Sequence, residues 1–323
     1  MNTVKVFAEG VIDQISNYLP EEFQNMEFTV IENTKNNGVI LTGLNVHIPG
    51  ENISPVLYMN DFYDAVKEGL PLDEIMGRIA SCIEECRSSN IMSMNLGMDD
   101  IDMLQERVTP MLINAKANRE ILQSMPFIQM EDLAMIFKID MFTDGYENRA
   151  TLKVKNDMIE RWGITKEELC EKAISNIQKH ETPVLFPMSD VVYEQATKIE
   201  RETNLLKDDY LYPIFEDQAL FVLTNKSRLH GTSALLCPGV LDKISDFMPE
   251  GFYILPSSIH ETIIISKDCG MSPKHLGQMV REINHGVVDR EDVLSDRIYE
   301  YDKDLGKFKQ VPESIQKSRE VVR

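Results

Sequence analysis

The chain has 323 residues, 43% hydrophobic and 27% charged, the composition of a folded, water-facing protein with room for two ordinary domains or one repeat assembly. Its 33 Lys and Arg stand against 53 Asp and Glu, and the resulting formal charge of -20, with no basic run to offset it, opposes nucleic-acid phosphate. No stretch approaches the ~20 apolar residues of a membrane span, Glu9 and Asp13 interrupt what a secretory signal would need as an apolar run, and five scattered cysteines do not read as a disulfide framework, so the expected compartment is a reducing cytoplasm.

Near the start, Val4, Phe7, Ala8, Val11, Ile12, Ile15 and Leu19 recur at threes and fours, which predicts an amphipathic helix stopped by Pro20. Residues 27–33 and 38–47 read as strands joined through Asn36, Asn37 and Gly38, since an Asn-Gly pair supplies the positive φ angles of a tight hairpin. A further strand is expected at 55–59. Leu72, Ile75, Met76, Ile79, Ala80 and Ile83 then form one helical stripe that should be buried.

A short helix over 118–125, closed by Pro126, comes next, with strands at 132–142 and 149–155 joined through Asp144 and Gly145. After Gly163, Thr165 and Glu168 have the spacing of a capping box, opening a helix that carries Leu169, Ala173 and Ile177 inward. Residues 185–190 read as a loop, 194–207 as a polar helix, and 218–225 and 232–237 as paired strands. A helix over 240–248, strands at 252–256 and 261–266, and a last helix capped by Ser272 with Pro273 at its first position complete the pattern, before a loose polar tail from Glu313.

Residues 10–23, GVIDQISNYLPEEF, return as residues 239–252, GVLDKISDFMPEGF, with eight of fourteen positions identical. A plan of helix, proline, β-hairpin and helix is legible three times. The expected fold is therefore α+β, with antiparallel sheets covered by helices, in units spanning 1–98, 99–182 and 183–311 before a tail at 312–323. Whether the three sheets join is open.

The stretches NGVILTGL (37–44), RWGITKEEL (161–169), LTNK (223–226) and ILPSSIHE (254–261) resemble an uncharacterised bacterial family, a domain of unknown function common in gut anaerobes, and the resemblance spans nearly the whole chain. It implies a bacterial cytosolic protein. It carries over no functional residues.

The densest chemistry is in LPSSIHE, where two hydroxyls, an imidazole and a carboxylate adjoin. In an extended segment Ser258 and His260 would share one face, and a nucleophile beside a base is the minimum for acyl transfer or hydrolysis, with Glu261 or Lys226 assisting. The competing reading is a polar hairpin turn whose side chains bond local backbone groups. If the adjacent strands pair, Asn225, Lys226 and Arg228, with His230, come near Ser258 and make a patch suited to a small anion. No phosphate-binding glycine loop, nucleophile elbow or dinucleotide fingerprint supports a cofactor.

No metal site is expected. Val184 and Ile264 stand where a zinc-protease helix would place its second His after His180-Glu181 and His260-Glu261, Cys82 and Cys86 lack two further ligands and read as small core residues, and Phe142 and Thr151 spoil a calcium loop at Asp140. Met92, Met94 and Met98 suit an adaptable surface, though core filling accounts for methionine as well. The expectation is a macromolecule-binding protein, an adaptor or regulator with a protein partner, no direct nucleic-acid contact and no membrane; a hydrolase at Ser258 and His260 is the alternative, and an acidic imitation of nucleic acid the third reading.

Overall fold

A computed structural model describes residues 3–23, 25–49, 54–88, 100–144, 148–207, 219–256 and 258–312. The methionines at 92, 94 and 98, Gly145 at the expected turn, Ser257 and the tail from Glu313 lie outside the described residues. The chain divides into two units, Met1–Met98 and Asp99–Arg323. Both are mixed α+β with antiparallel sheets. Among the described residues no helix is long and apolar enough to cross a membrane.

In the first unit, helix α1 (Thr3–Ile15) buries Ala8, Val11 and Ile15. Strands β1 (Glu27–Thr34) and β2 (Ile40–His47) pair from Glu27 against His47 to Thr34 against Ile40, and Asn37 and Gly38 turn the chain with φ of 58° and 69°. This is the left-handed geometry expected of an Asn-Gly step. The short strand β3 (Val56–Tyr58) flanks β2. Helix α2 (Asn60–Lys67), unforeseen in the sequence, rests Phe62, Ala65 and Val66 on the core, and α3 (Leu72–Ser88) buries Ile75, Met76, Ile79, Ala80 and Ile83. Leu72 departs from the expected stripe: at the first position of α3 it is 45% exposed. Cys82 and Cys86 pack half-buried against this core.

The second unit holds two sheets. In the smaller, β6 (Leu133–Asp144) pairs along one side with β4 (Val108–Asn114) and along the other with β5 (Ile128–Met130) and then β7 (Asn148–Lys153). Pro110 sits within β4, which a strand at the edge of a sheet tolerates because the missing N–H faces away from the ladder. Helices α4 (Ile101–Glu106), α5 (Asn156–Trp162) and α6 (Lys166–His180) belong to this part, and the Thr165–Glu168 capping box forms as predicted. Leu169, Ala173 and Ile177 are fully buried.

The larger sheet runs β13-β12-β10-β11-β9-β8, from β8 (Pro183–Pro187) and β9 (Leu220–Asn225) through the hairpin β10 (Phe252–Leu255) and β11 (Thr262–Ser266) to β12 (Tyr299–Asp302) and β13 (Lys307–Gln310). Helices α7 (Met188–Thr197), α8 (Val240–Phe247) and α9 (Pro273–Gly286) accompany it, with Ser272 capping α9 as expected.

Four sequence expectations are corrected by these elements. Residues 185–190 are not a loop: two prolines bracket edge strand β8 and its end passes directly into α7. The polar helix at 194–207 stops at Thr197, where Lys198 turns left-handed at φ 59°. The segment expected as a strand at 232–237 is a 3-10 helix, Gly231–Leu236, and that at 118–125 shrinks to one 3-10 turn, Ile121–Ser124. Of the similar segments 10–23 and 239–252, Val11, Ile15, Leu19 and Phe23 are buried in one and Val240, Ile244, Met248 and Phe252 in the other. Gly10 lies within α1, whereas Gly239 caps α8 at φ 80°.

Candidate functional site

The site forms where β9 and β11 pair side by side, which carries the loops beyond β9 and before β11 into contact. Asn225 ends β9 in a buried position, and its side chain folds the loop beyond it: Oδ1 accepts from Ser227 Oγ at 2.9 Å and from the Leu229 N–H at 3.3 Å, while Nδ2 donates to the Leu229 carbonyl at 2.9 Å. The loop so formed holds Arg228 at φ 53° and His230 at φ 52°. Side chains disfavour that region, and two such residues in one short loop mark stored strain of the kind that gathers at functional sites. Gly231 comes next, in a position where an added Cβ would lie 2.1 Å from Thr224 Oγ1 and 2.6 Å from the His260 carbonyl. Only glycine fits.

Across from this loop, residues 258–260 are a turn and not the extended strand whose alternation would align two side chains. Ser258 pairs through its backbone with Val293, and its hydroxyl accepts from the main-chain N–H of His260 at 2.9 Å. The imidazole is engaged elsewhere: Nδ1 accepts from the His230 N–H at 3.1 Å and Nε2 lies 3.2 Å from Asp292 Oδ1. An accepting Nδ1 assigns the proton of the neutral ring to Nε2, which then donates to Asp292. Thr224 and Thr232 add 2.8 Å bonds to the carbonyls of His260 and Ser258. The His230 and His260 rings stack with centroids 5.5 Å apart.

The candidate catalytic and anion-binding residues Asn225, Lys226, Arg228, Ser258, His260 and Glu261 therefore meet in one region, with different engagements. Glu261 stays exposed; crowding by the surrounding chain pushes its carboxyl up, against the pull of Arg228 and His260. Lys226 is exposed and fixed by its backbone to Thr182. Arg228 forks onto Glu194 at 2.6 and 2.8 Å and lies 3.8 Å from Glu200, so carboxylates already neutralise the guanidinium expected to receive an anion. Its hydrogen bond holds Glu194 below the usual carboxylate range.

Beneath these loops is a charged network that sequence reasoning missed. Lys138 of β6, its side chain 2% exposed, ion-pairs with Glu181 (3% exposed) and with Asp140 at 2.9 Å. The Glu181 carboxylate also accepts from Thr109 Oγ1 at 3.1 Å and Ser233 Oγ at 2.6 Å, and Asp140 accepts from Thr151 Oγ1 at 3.0 Å. Burial alone would lower the Lys138 pKa, but Glu181 and Asp140 more than reverse it, so the ammonium stays charged. Asp140 shows the mirror effect: burial pushes it up and Lys138 pulls it further down, below its ordinary value. His230 faces this network. Burial first, then Lys138, depress its pKa to about 3, and its Nδ1 is buried with no hydrogen-bond partner among the described residues. The signal in the sequence was a lone lysine inside the apolar run 133–139.

Among the described residues no group of three or more His, Cys, Asp or Glu is arranged to hold a metal ion. The model of a family of unknown function (DUF5688) matches residues 4–303, and the chain belongs to that family. Neither the curated proteins nor the solved structures yield a match.

Proposed function

We propose that this member of the family is a macromolecule-binding protein, an adaptor or regulator of the bacterial cytoplasm with a protein partner. The observation that carries the reading is the engagement of His260: both ring nitrogens hold neighbouring chain, and the Ser258 hydroxyl faces a backbone N–H instead of a base. Among the described residues no base bonds to the Ser258 hydroxyl, and a nucleophile without a base lacks the minimum for hydrolysis. The formal charge of -20 suits a basic protein surface. The matching buried positions of 10–23 and 239–252 support descent of these segments from one duplicated helix-hairpin-helix motif, a means of multiplying interaction surface. The acidity also accommodates imitation of a nucleic-acid backbone, a narrower form of the same binding role.

The hydrolase reading retains one specific support, the orienting contact of Asp292 on His260, which is half of a triad. Affinity capture from native cell extract with mass spectrometry, run beside a panel of ester and peptide substrates, separates the two. With Ser258→Ala, the binding reading expects an unchanged set of captured proteins and no turnover to lose. Turnover by the native protein that Ser258→Ala abolishes would overturn it.

A further inference from the structure

The main-chain N–H of His230 donates to an imidazole nitrogen, His260 Nδ1, at 3.1 Å. A proton on that nitrogen would set donor against donor. The His230 ring stacks on the same imidazole with its own Nδ1 buried and unpartnered among the described residues, so a proton there also finds no acceptor. Facing His230 are Lys138 and Asp140 from β6, Lys153 from β7 and His260 from the connection before β11. Facing His260 are His230, Asp292 and its neighbour Glu261. The lysines and His260 oppose a proton on His230 and Asp140 favours one. The loop between them carries the left-handed Arg228 and His230, strain that release would relieve.

From this geometry we propose that the stacked His230–His260 pair is a proton-operated latch: unprotonated, it closes the loop of residues 226–231 against the Lys138–Glu181 network, and protonated it releases that loop. The latch does not depend on whether the surface serves a protein partner or a substrate. Its direction follows from linkage. A histidine whose closed-state pKa is depressed contributes stability above its ordinary pKa of 6.5, and that stability is lost as the pH falls toward about 3. Between pH 7.5 and 5.0 the released loop gains about thirtyfold over the closed one.

Hydrogen exchange of the full chain, read by mass spectrometry at pH 7.5 and 5.0 and divided by the intrinsic rate at each pH, measures this directly. Protection over residues 228–233 should fall about thirtyfold, while residues 134–139 of β6 serve as the internal reference and hold. His230→Phe keeps a flat ring and removes the proton site, and His230→Gln keeps a polar side chain that takes up no proton at these pH values. Whichever of the two matches the native circular dichroism spectrum at pH 7.5 should lose the pH effect to within about threefold. Equal protection at both pH values in the native protein, or a thirtyfold fall that persists in the folded variant, would overturn the latch.

Discussion

Lys138→Met tests the buried network most directly. Glu181 would keep its hydrogen bonds from Thr109 and Ser233 but lose its cation, whereas the more exposed Asp140 keeps Thr151 and access to water. Breaking a buried ion pair by removing one partner typically costs about 3–5 kcal/mol. Adding Glu181→Gln removes the second charge while keeping an oxygen for the two hydroxyls, and should restore about half of the loss at pH 7. Urea unfolding followed by the fluorescence of Trp162, the chain's single tryptophan and part of the same unit, supplies the free energies. A loss under about 1 kcal/mol for Lys138→Met, or a double variant no more stable than the single, would refute the reasoning.

Gly231→Ala should destabilise the second unit by about 3 kcal/mol or more, because two of the three atoms its Cβ would strike, the His260 carbonyl and the Asn225 nitrogen, are backbone and cannot rotate away. Gly10→Ala is the contrasting case in the first unit: it lies inside α1 with nothing within 4 Å of the new methyl, and urea unfolding followed by far-UV circular dichroism should register a gain of about 0.5–1 kcal/mol for that unit. Tyr299→Phe removes the phenol that donates to Asp132, leaving that carboxylate the Ser295 hydroxyl at 2.7 Å, and should cost about 1–3 kcal/mol by thermal unfolding; a melting temperature within error of the native one would show the bond to be idle.

Elements whose signals are local were legible in the sequence. The Asn37–Gly38 turn, the Thr165 capping box and the Ser272 cap each depend on side chains within three or four residues, and each forms in place. Where the deciding interaction is distant, reading fails. The apolar run 232–237 has strand composition, yet Gly231 must pass within van der Waals reach of the His260 backbone, and the chain coils into a 3-10 helix instead. The same limit governs the site. Ser258 and His260 adjoin in sequence, so proximity was assured, but whether the hydroxyl meets imidazole or amide depends on a turn fixed by Thr232, Val293 and Asp292.

The Lys138–Glu181 pair lay furthest from view, since 43 residues separate its partners and neither carries a motif. Its physical mark was thermodynamic: an ammonium in an otherwise apolar strand requires a buried counter-charge. Once that counter-charge is Glu181 and Ser233 bonds to it, the 3-10 helix that begins at Gly231 is anchored to β6 from below, while His260 holds the residue before it from above. His230 is thus confined between a fixed positive charge and a neighbouring imidazole whose Nδ1 accepts its main-chain N–H. That confinement, more than the proximity of Ser258, gives this corner of the molecule its chemical character.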